Sequence, residues 1–285
     1  LLNCFLGTLV ADSVYSLTIA LTGDRKTALT ATLITLFFPS FIMFCSLDMR
    51  DAVIFFLTAE LLYRISRLMS ERHLRDIALL GAEAVALYFL RTQYLILFTI
   101  IAMTYWFMRS NLYKNSAQRW AVIFVLLVFV WLGYRYLQDL GFFPVLFKTV
   151  NADMAWRTAG GSAYLAGVSY ETWWDVIRWM PVRMIHFALG PFLWNVNNIF
   201  LLLGAVESMV LVVIVLMAFT SEARRLYSSH PKLYLFLLLF AAMGLFSSAV
   251  IDSNYGTAIR HKMNFIFIFF IFSASYIKNI RIKIS

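Results

Sequence analysis

Residues 233–251 read LYLFLLLFAAMGLFSSAVI, an apolar run without a charged side chain. A helix needs roughly 20 such residues to cross the hydrocarbon layer of a bilayer, so this run has the length of one membrane span. The apolar residues are continuous rather than alternating at every second position, which favours a helix over a strand of a membrane barrel. The stretch therefore predicts a transmembrane helix, and similar runs recur along the chain.

The overall composition is typical of a membrane protein. Hydrophobic residues make up 62% of the 285 residues and charged residues 14%, whereas soluble domains are about half apolar and about a quarter charged. The formal net charge is +9, but the basic residues stand in the turns between apolar runs. We therefore expect them to meet lipid headgroups of a bilayer, and we expect no nucleic acid partner.

Apolar runs of near-membrane length divide the chain into about nine predicted spans. They cover residues 1–22, 27–46, 52–69, 76–90, 93–108, 119–137, 198–219, 233–251 and 263–278. The predicted fold class is all-α, a polytopic transmembrane helical bundle. Its three parts are N-terminal spans (1–137), a large extracytoplasmic loop with interfacial helices (138–197) and C-terminal spans (198–285).

The charges between the runs predict an orientation. Short basic turns fall at every second crossing, and by the positive-inside rule they lie in the cytoplasm. They contain Arg25 and Lys26, the arginines from Arg64 to Arg75, Arg109 to Arg119, Arg224 to Lys232, and Lys278 to Lys283. The remaining turns and the long loop are then extracytoplasmic, which predicts a multi-pass membrane protein with a large outer loop.

Four polar elements fall on the predicted outer side, and the first is the turn from Ser46 to Asp51. Asp48 and Asp51 are three residues apart with Arg50 between them, so on a helix the two carboxylates share a face. Such a pair can coordinate a divalent cation, or one member can act as a general base. The alternative is that both residues cap the following helix.

The second element is Arg91, which stands in a predicted tight turn. Its planar donor fork suits a membrane-facing phosphate. The alternative is an arginine that snorkels to the interface.

The third element is the long loop. Arg157 precedes the pair Gly160-Gly161, which suits either a backbone that approaches a ligand or a plain turn. Tryptophans mixed with charges around Arg178 predict a helix in the membrane interface, with Pro181 ending or kinking it. Arg183 and His186 follow in a second apolar stretch. These helices either guide a lipid-linked substrate sideways into a polar cavity or lie on the bilayer without a ligand.

The fourth element is Arg260-His261-Lys262, directly before the last predicted span. Cations at a helix N-terminus oppose the helix dipole. That cost favours a functional interpretation, a clamp for a phosphate group. The alternative is a solvated start of a helix.

Three stretches give the chain a resemblance to bacterial membrane glycosyltransferases of the C-type superfamily, the relatives of protein O-mannosyltransferases and aminoarabinose transferases. They are Phe38-Pro39-Ser40 leading to Arg50-Asp51, the loop from Arg157 to Tyr164 with Pro181 and Gly190-Pro191-Phe-Leu-Trp194, and Asn254-Tyr-Gly-Thr-Ala-Ile-Arg-His. The similarity spans most of the chain, and its motifs are those of poorly characterised members.

The resemblance implies transfer of a sugar from a polyprenyl-phosphate donor to an acceptor glycan, lipid or protein outside the cytoplasm. It also implies a catalytic acid in the first outer loop, before the part of the protein that this chain covers. We therefore expect Leu1 to lie inside a longer protein. The resemblance makes Asp48 and Asp51 candidates for a second acidic site, and Arg260 and His261 candidates for donor-phosphate contacts.

Two other functions remain open on the sequence. A polymerase of surface polysaccharide repeat units also combines many spans with a large outer loop. A transporter or flippase is the second alternative, although its frequent inverted repeats are not apparent here. The sugar, the acceptor and any metal requirement stay undetermined at this level.

Overall fold

The described part of the chain is built from α-helices. The computed structural model describes residues 1–47, 50–70, 74–91, 131–132, 134–158 and 160–280. Within these ranges the helices are α1 (Leu2–Thr22), α2 (Arg25–Phe37), α3 (Pro39–Ser46), α4 (Asp51–Ser70), α5 (Leu74–Leu90), α6 (Phe142–Thr158), α7 (Trp173–Leu189), α8 (Ile199–Met217), α9 (Ser221–Ser229), α10 (Pro231–Ile251) and α11 (Tyr255–Ile277). The prediction of an all-α fold is confirmed for these residues.

Three of these helices, α1, α8 and α10, are long and apolar enough to cross a membrane. The bent pair α2 and α3 passes the same test when it is taken as one span. Side chains along α8, such as Phe200, Leu203 and Val213, remain exposed in the protein, as expected of a face that contacts lipid. These apolar helices support the prediction of a helical membrane protein. The count of nine spans stays a prediction, and most of 93–108 and 119–137 lies outside the described residues.

Helix α11 is the centre of the bundle. Every residue from His261 to Ser275 is buried, and the helix packs against α2, α8 and α10. Gly244 of α10 permits close approach, because a Cβ atom there would lie 2.1 Å from the ring of Phe265. The predicted last span, 263–278, corresponds to only part of this helix, which begins earlier, since Asn254 caps it and Arg260 lies in its second turn.

The predicted span 27–46 is broken at Phe38. Helices α2 and α3 meet there at 61°. Phe38 is extended and Pro39 occupies the first position of α3, because a proline disfavours helical geometry in the residue before it and is well suited to a helix start.

Helix α7 shows a different effect of proline. Thr172 and Asp175 form a capping box at its start, which satisfies two of the free backbone N–H groups there. The helix continues through Pro181 to Leu189, so this proline does not end the helix. Arg178, Arg183 and His186 consequently lie on one helix that packs against α10 and α11.

Candidate functional site

Five predicted site residues meet in one place. Asp51, Arg91, Arg157, Arg260 and His261 join Asp252 in a group that we call the charge cluster. It gathers the first residue of α4, the residue after α5, the last turn of α6, the start of α11 and the link between α10 and α11. Arg64 lies on the same helix, α4, 13 residues beyond Asp51. The charges around Arg64 are therefore about 20 Å from the charge cluster.

Asp51 holds one half of the charge cluster together. Its carboxylate lies between Arg91, with Nη2 at 3.8 Å, and Arg260, with Nε at 3.5 Å. The side chains of Asp51 and Arg91 are each only 8% exposed, so solvent screens this pair little. Arg91 therefore contacts a protein carboxylate and does not reach freely into the surroundings.

Asp252 holds the other half. One of its oxygens accepts a hydrogen bond from Arg157 Nη1 at 2.5 Å, and the other lies 2.6 Å from Nδ1 of His261. Burial raises the pKa of Asp252, but the hydrogen bond to His261 and the charges of His261 and Arg157 lower the pKa by more. The carboxylate is therefore ionised, and it orients both partners.

The charge cluster is rich in cationic donors. Three guanidinium groups face the two buried carboxylates, and a third carboxylate, Asp153, is half exposed and lies 3.4 Å from Arg157. Nη1 of Arg91 and Nε of Arg157 are buried without a hydrogen-bond partner among the described residues. Unpaired buried donors are costly, and an anion with several oxygens would satisfy them.

Arg183 has a structural position rather than an open one. Its side chain is fully buried and donates to the backbone oxygens of Ala249 and Asp252 and to the hydroxyl of Ser253. These contacts bind the last turn of α10 and the link that carries Asp252. Arg183 thus holds the backbone that carries Asp252 in place. Within the described ranges it forms no ion pair with a carboxylate of the charge cluster.

Lys262 and His186 also bond to the protein. Lys262 is buried and donates to the backbone oxygen of Gly190 at 2.8 Å. Nδ1 of His186 lies 2.7 Å from the hydroxyl of Tyr255. Both side chains connect α7 and the turn after it to the central helix α11.

The remaining predicted residues lie apart. Arg50 and Arg178 are exposed, and Arg178 is on the outer side of α7 beside Asp175. Asp48 lies outside the described residues. A pairing of Asp48 with Asp51 around a divalent cation therefore stays a prediction, and the two arginines beside Asp51 favour an anion at that position.

The glycine pair is part of a loop that docks on the link before α11. Ala163 forms a β-bridge with Asn254, and the Ser162 hydroxyl donates to the Asn254 side chain. A Cβ atom at Gly160 would come within 3.0 Å of that side chain. Here the glycine permits contact with the protein, and the docking brings Arg157 beside Asp252.

An apolar groove begins close to the charge cluster. It has a volume of about 550 Å³ and runs between α3, α8 and the start of α11. A much smaller cavity is lined by Asp51 and Arg260, and Phe44 borders both spaces. A ligand with an anionic head and an apolar chain would match this succession of surfaces.

Glu207 is a buried carboxylate that we did not predict from the sequence. It lies in the middle of α8, borders the groove, and accepts from the backbone N–H of Ser40 at 3.0 Å and from its hydroxyl at 2.5 Å. It thereby caps α3 at the helix break. An ionisable residue inside an apolar run is a signal of such a role.

Comparisons with protein-family models, curated proteins and solved structures find no match for this chain. The resemblance to C-type glycosyltransferases therefore depends on the three motifs alone.

Proposed function

We propose that the protein is an integral-membrane glycosyltransferase that transfers a sugar from a polyprenyl-phosphate donor to an acceptor on the extracytoplasmic side of a bacterial inner membrane. The observation that carries this proposal is the charge cluster beside an apolar groove. Within this proposal the chain has about nine spans, and the ends of α4 and α11 that carry Asp51 and Arg260 face outward.

The charge cluster would bind the donor phosphate. The guanidinium groups of Arg91, Arg157 and Arg260 face the two buried carboxylates of Asp51 and Asp252, whereas the third nearby carboxylate, Asp153, is half exposed and more strongly screened by solvent. A phosphate placed among these arginines would accept from Nη1 of Arg91 and Nε of Arg157, which have no hydrogen-bond partner within the described ranges. Charge-assisted bonds of this kind are the strong ones. The groove next to the small cavity would accommodate the apolar prenyl chain.

The reaction would proceed by displacement at the anomeric carbon. A hydroxyl oxygen of the acceptor forms a bond to that carbon as the bond from the carbon to the phosphate oxygen breaks. A carboxylate takes the hydroxyl proton, and the arginines stabilise the departing prenyl phosphate. Asp51 is the described candidate for this base. Asp48 is the other candidate.

A binding experiment tests the phosphate site directly. Undecaprenyl phosphate should bind the protein in nanodiscs, and Arg260→Ala should weaken this binding at least about tenfold, or about 1.4 kcal/mol. Arg178→Ala is the matched control, since Arg178 is exposed and outside the charge cluster. Equal binding by Arg260→Ala and the control would contradict a phosphate site.

A transfer experiment tests the reaction. Membranes from a deletion strain that expresses the protein should transfer label from one of three donors, undecaprenyl phosphate linked to glucose, mannose or aminoarabinose. Arg260→Ala and Asp51→Asn should abolish this transfer while the protein remains folded. Transfer at the wild-type rate by both variants would overturn the assignment, and a product with many added repeat units would instead indicate the polymerase.

A transporter or flippase is the second candidate, and the helix break favours it. Transporters commonly bind substrates where a discontinuous helix begins inside the membrane. Here α3 begins at such a break. Glu207 of α8 accepts a hydrogen bond from the first turn of α3, and Lys262 lies near Glu207. Uptake of a labelled prenyl-phosphate sugar into vesicles without chemical change would support this alternative and exclude sugar transfer.

A further inference from the structure

The turn after α7 presents one tryptophan on a rigid support. Trp194 lies in the short 3₁₀ helix Leu193–Asn195 and is 78% exposed. Its ring stacks on Phe192, with 4.7 Å between centroids and 10° between planes. One face of the indole is therefore covered, and the exposed fraction leaves the rest of the ring available to a ligand.

The support under Trp194 continues into the protein. Phe192 packs edge-on against His186 at 5.3 Å, and His186 stacks on Tyr164 at 5.4 Å. The hydroxyl of Tyr255 lies 2.7 Å from Nδ1 of His186 and donates to Oδ1 of Asn195 at 2.9 Å. The turn is consequently held at both ends, so little conformational entropy is lost when a ligand covers it.

Three asparagines follow Trp194 closely in the chain. Asn195 directly follows Trp194, and Asn197 donates to the backbone oxygen of Gly161 at 3.1 Å. Asn198 donates to Asn197 and lines the apolar groove. The turn thus lies where the groove opens, next to the loop that carries Arg157 to the charge cluster.

We infer that this turn is a carbohydrate-binding platform, with Trp194 as the surface on which a neutral pyranose ring of the acceptor glycan stacks. The C–H groups on one face of a pyranose suit the electron-rich face of an indole ring. An amide nitrogen carries two N–H groups, so Asn197 and Asn198, which each donate once to the described part of the protein, each retain one N–H for a sugar hydroxyl. Apolar surface with a few polar groups is the combination that marks ligand sites. The inference deepens the proposed function and rests on it for the identity of the glycan as acceptor.

An exposed tryptophan in a membrane protein is often an anchor at the bilayer interface. Trp174 offers a matched comparison, because it is 71% exposed on α7, the predicted interfacial helix. The test compares Trp194→Ala, the conservative Trp194→Phe and Trp174→Ala in nanodiscs. The probes are three free tetrasaccharides, built from glucose, galactose or mannose.

At least one tetrasaccharide should bind the wild type and shield a tryptophan from quenching by iodide. Trp194→Ala should lose about tenfold in this affinity, Trp194→Phe should lose less, and Trp174→Ala should bind as the wild type does. Binding of undecaprenyl phosphate should be unchanged in Trp194→Ala, which separates an acceptor platform from the donor site.

Two results would overturn the inference. One is that no tetrasaccharide binds or shields, and the other is that brominated lipids quench Trp194 as strongly as Trp174, as expected of an interfacial anchor. Failure of the proposed function is seen separately. If Arg260→Ala transfers sugar and binds undecaprenyl phosphate as the wild type does, the donor site is wrong, whereas tetrasaccharide binding still reports on Trp194.

Discussion

The carboxylate of Asp252 lies 2.6 Å from Nδ1 of His261, nine residues further along the chain. Asp252 begins the link after α10 and His261 lies in the second turn of α11, so the contact closes the corner between the two helices. The second oxygen of Asp252 accepts from Arg157, which fastens α6 to the same corner. One buried carboxylate thereby fixes the cationic side of the charge cluster.

Replacement of Asp252 by Asn should destabilise the protein. The buried side chain of His261 and the partly exposed side chain of Arg157 lose their anionic partner. Removing a buried carboxylate from such a pair costs about 3 kcal/mol in the free energy of unfolding. SDS-induced unfolding in mixed micelles measures this difference. Asp153→Asn is the control, because Asp153 is half exposed and its pair with Arg157 is worth less than about 1 kcal/mol. Equal losses in the two variants would show that burial of Asp252 contributes nothing.

The stability should also depend on pH through Asp252. Its pKa in the folded protein is lower than the ordinary value of 3.8. The stabilisation is therefore complete above that ordinary value and is lost as the pH falls through the lower pKa of the folded state. The free energy of unfolding, measured between about pH 6 and about pH 2, should fall more steeply for the wild type than for Asp252→Asn. Identical curves would assign the acid sensitivity to other groups.

Arg183 should contribute to stability through its shape as well as its charge. Lysine retains the charge but cannot donate to Ala249, Asp252 and Ser253 together, so Arg183→Lys should lower the free energy of unfolding by about 2 kcal/mol. Arg178→Ala, on the exposed side of the same helix, should change it by less than about 0.5 kcal/mol. The prediction is wrong if lysine at position 183 is as stable as arginine.

Ser40 and Glu207 should be energetically coupled. The Ser40 hydroxyl donates to both oxygens of the Glu207 carboxylate, so a double-mutant cycle with Ser40→Ala and Glu207→Gln should give a coupling of about 1 kcal/mol or more. Ser40→Ala combined with Glu60→Gln is the control, because Glu60 pairs with Arg64 of its own helix. That second cycle should be additive within about 0.5 kcal/mol, and additivity in both cycles would contradict the coupling.

Gly244 should resist substitution where Gly81 does not. A Cβ atom at Gly244 would overlap the ring of Phe265, whereas a Cβ atom at Gly81 of α5 meets nothing within 4 Å among the described residues. We expect Gly244→Ala to lower the free energy of unfolding by about 2 kcal/mol, since overpacked interiors cost about this much. Gly81→Ala should leave it unchanged or raise it by up to about 1 kcal/mol, because alanine favours helices. A neutral Gly244→Ala would mean that α10 and α11 separate easily.

Much of the helical structure is predictable from local patterns. The runs 233–251 and 198–219 correspond closely to α10 and α8, because a long apolar run without charges has few alternatives to a spanning helix. Hydropathy does not predict the break at Phe38, because the apolar character continues across it. Pro39 is the local signal of the break. Helix α11 begins before the predicted span 263–278. Hydropathy alone places Arg260, His261 and Lys262 outside the apolar run, although all three are part of the helix.

The roles of the site residues are less predictable from local sequence than the helices are. Arg157 and Arg183 both lie in the predicted loop, yet Arg157 pairs with Asp252 in the charge cluster, whereas Arg183 caps the end of α10. Their local sequences do not distinguish these roles. The role of Glu207 is not predictable from its local sequence either, because its partner Ser40 is 167 residues away in the chain.

The composition and the spacing of apolar runs were enough to predict helices that can cross a membrane, because each span satisfies its own backbone hydrogen bonds and needs only its own residues. The partners of Asp51, Asp252 and Glu207 came from the packed structure alone. A buried carboxylate is stable only beside cations or donors that reach it, and which side chains reach it depends on how α4, α6, α8 and α11 pack together.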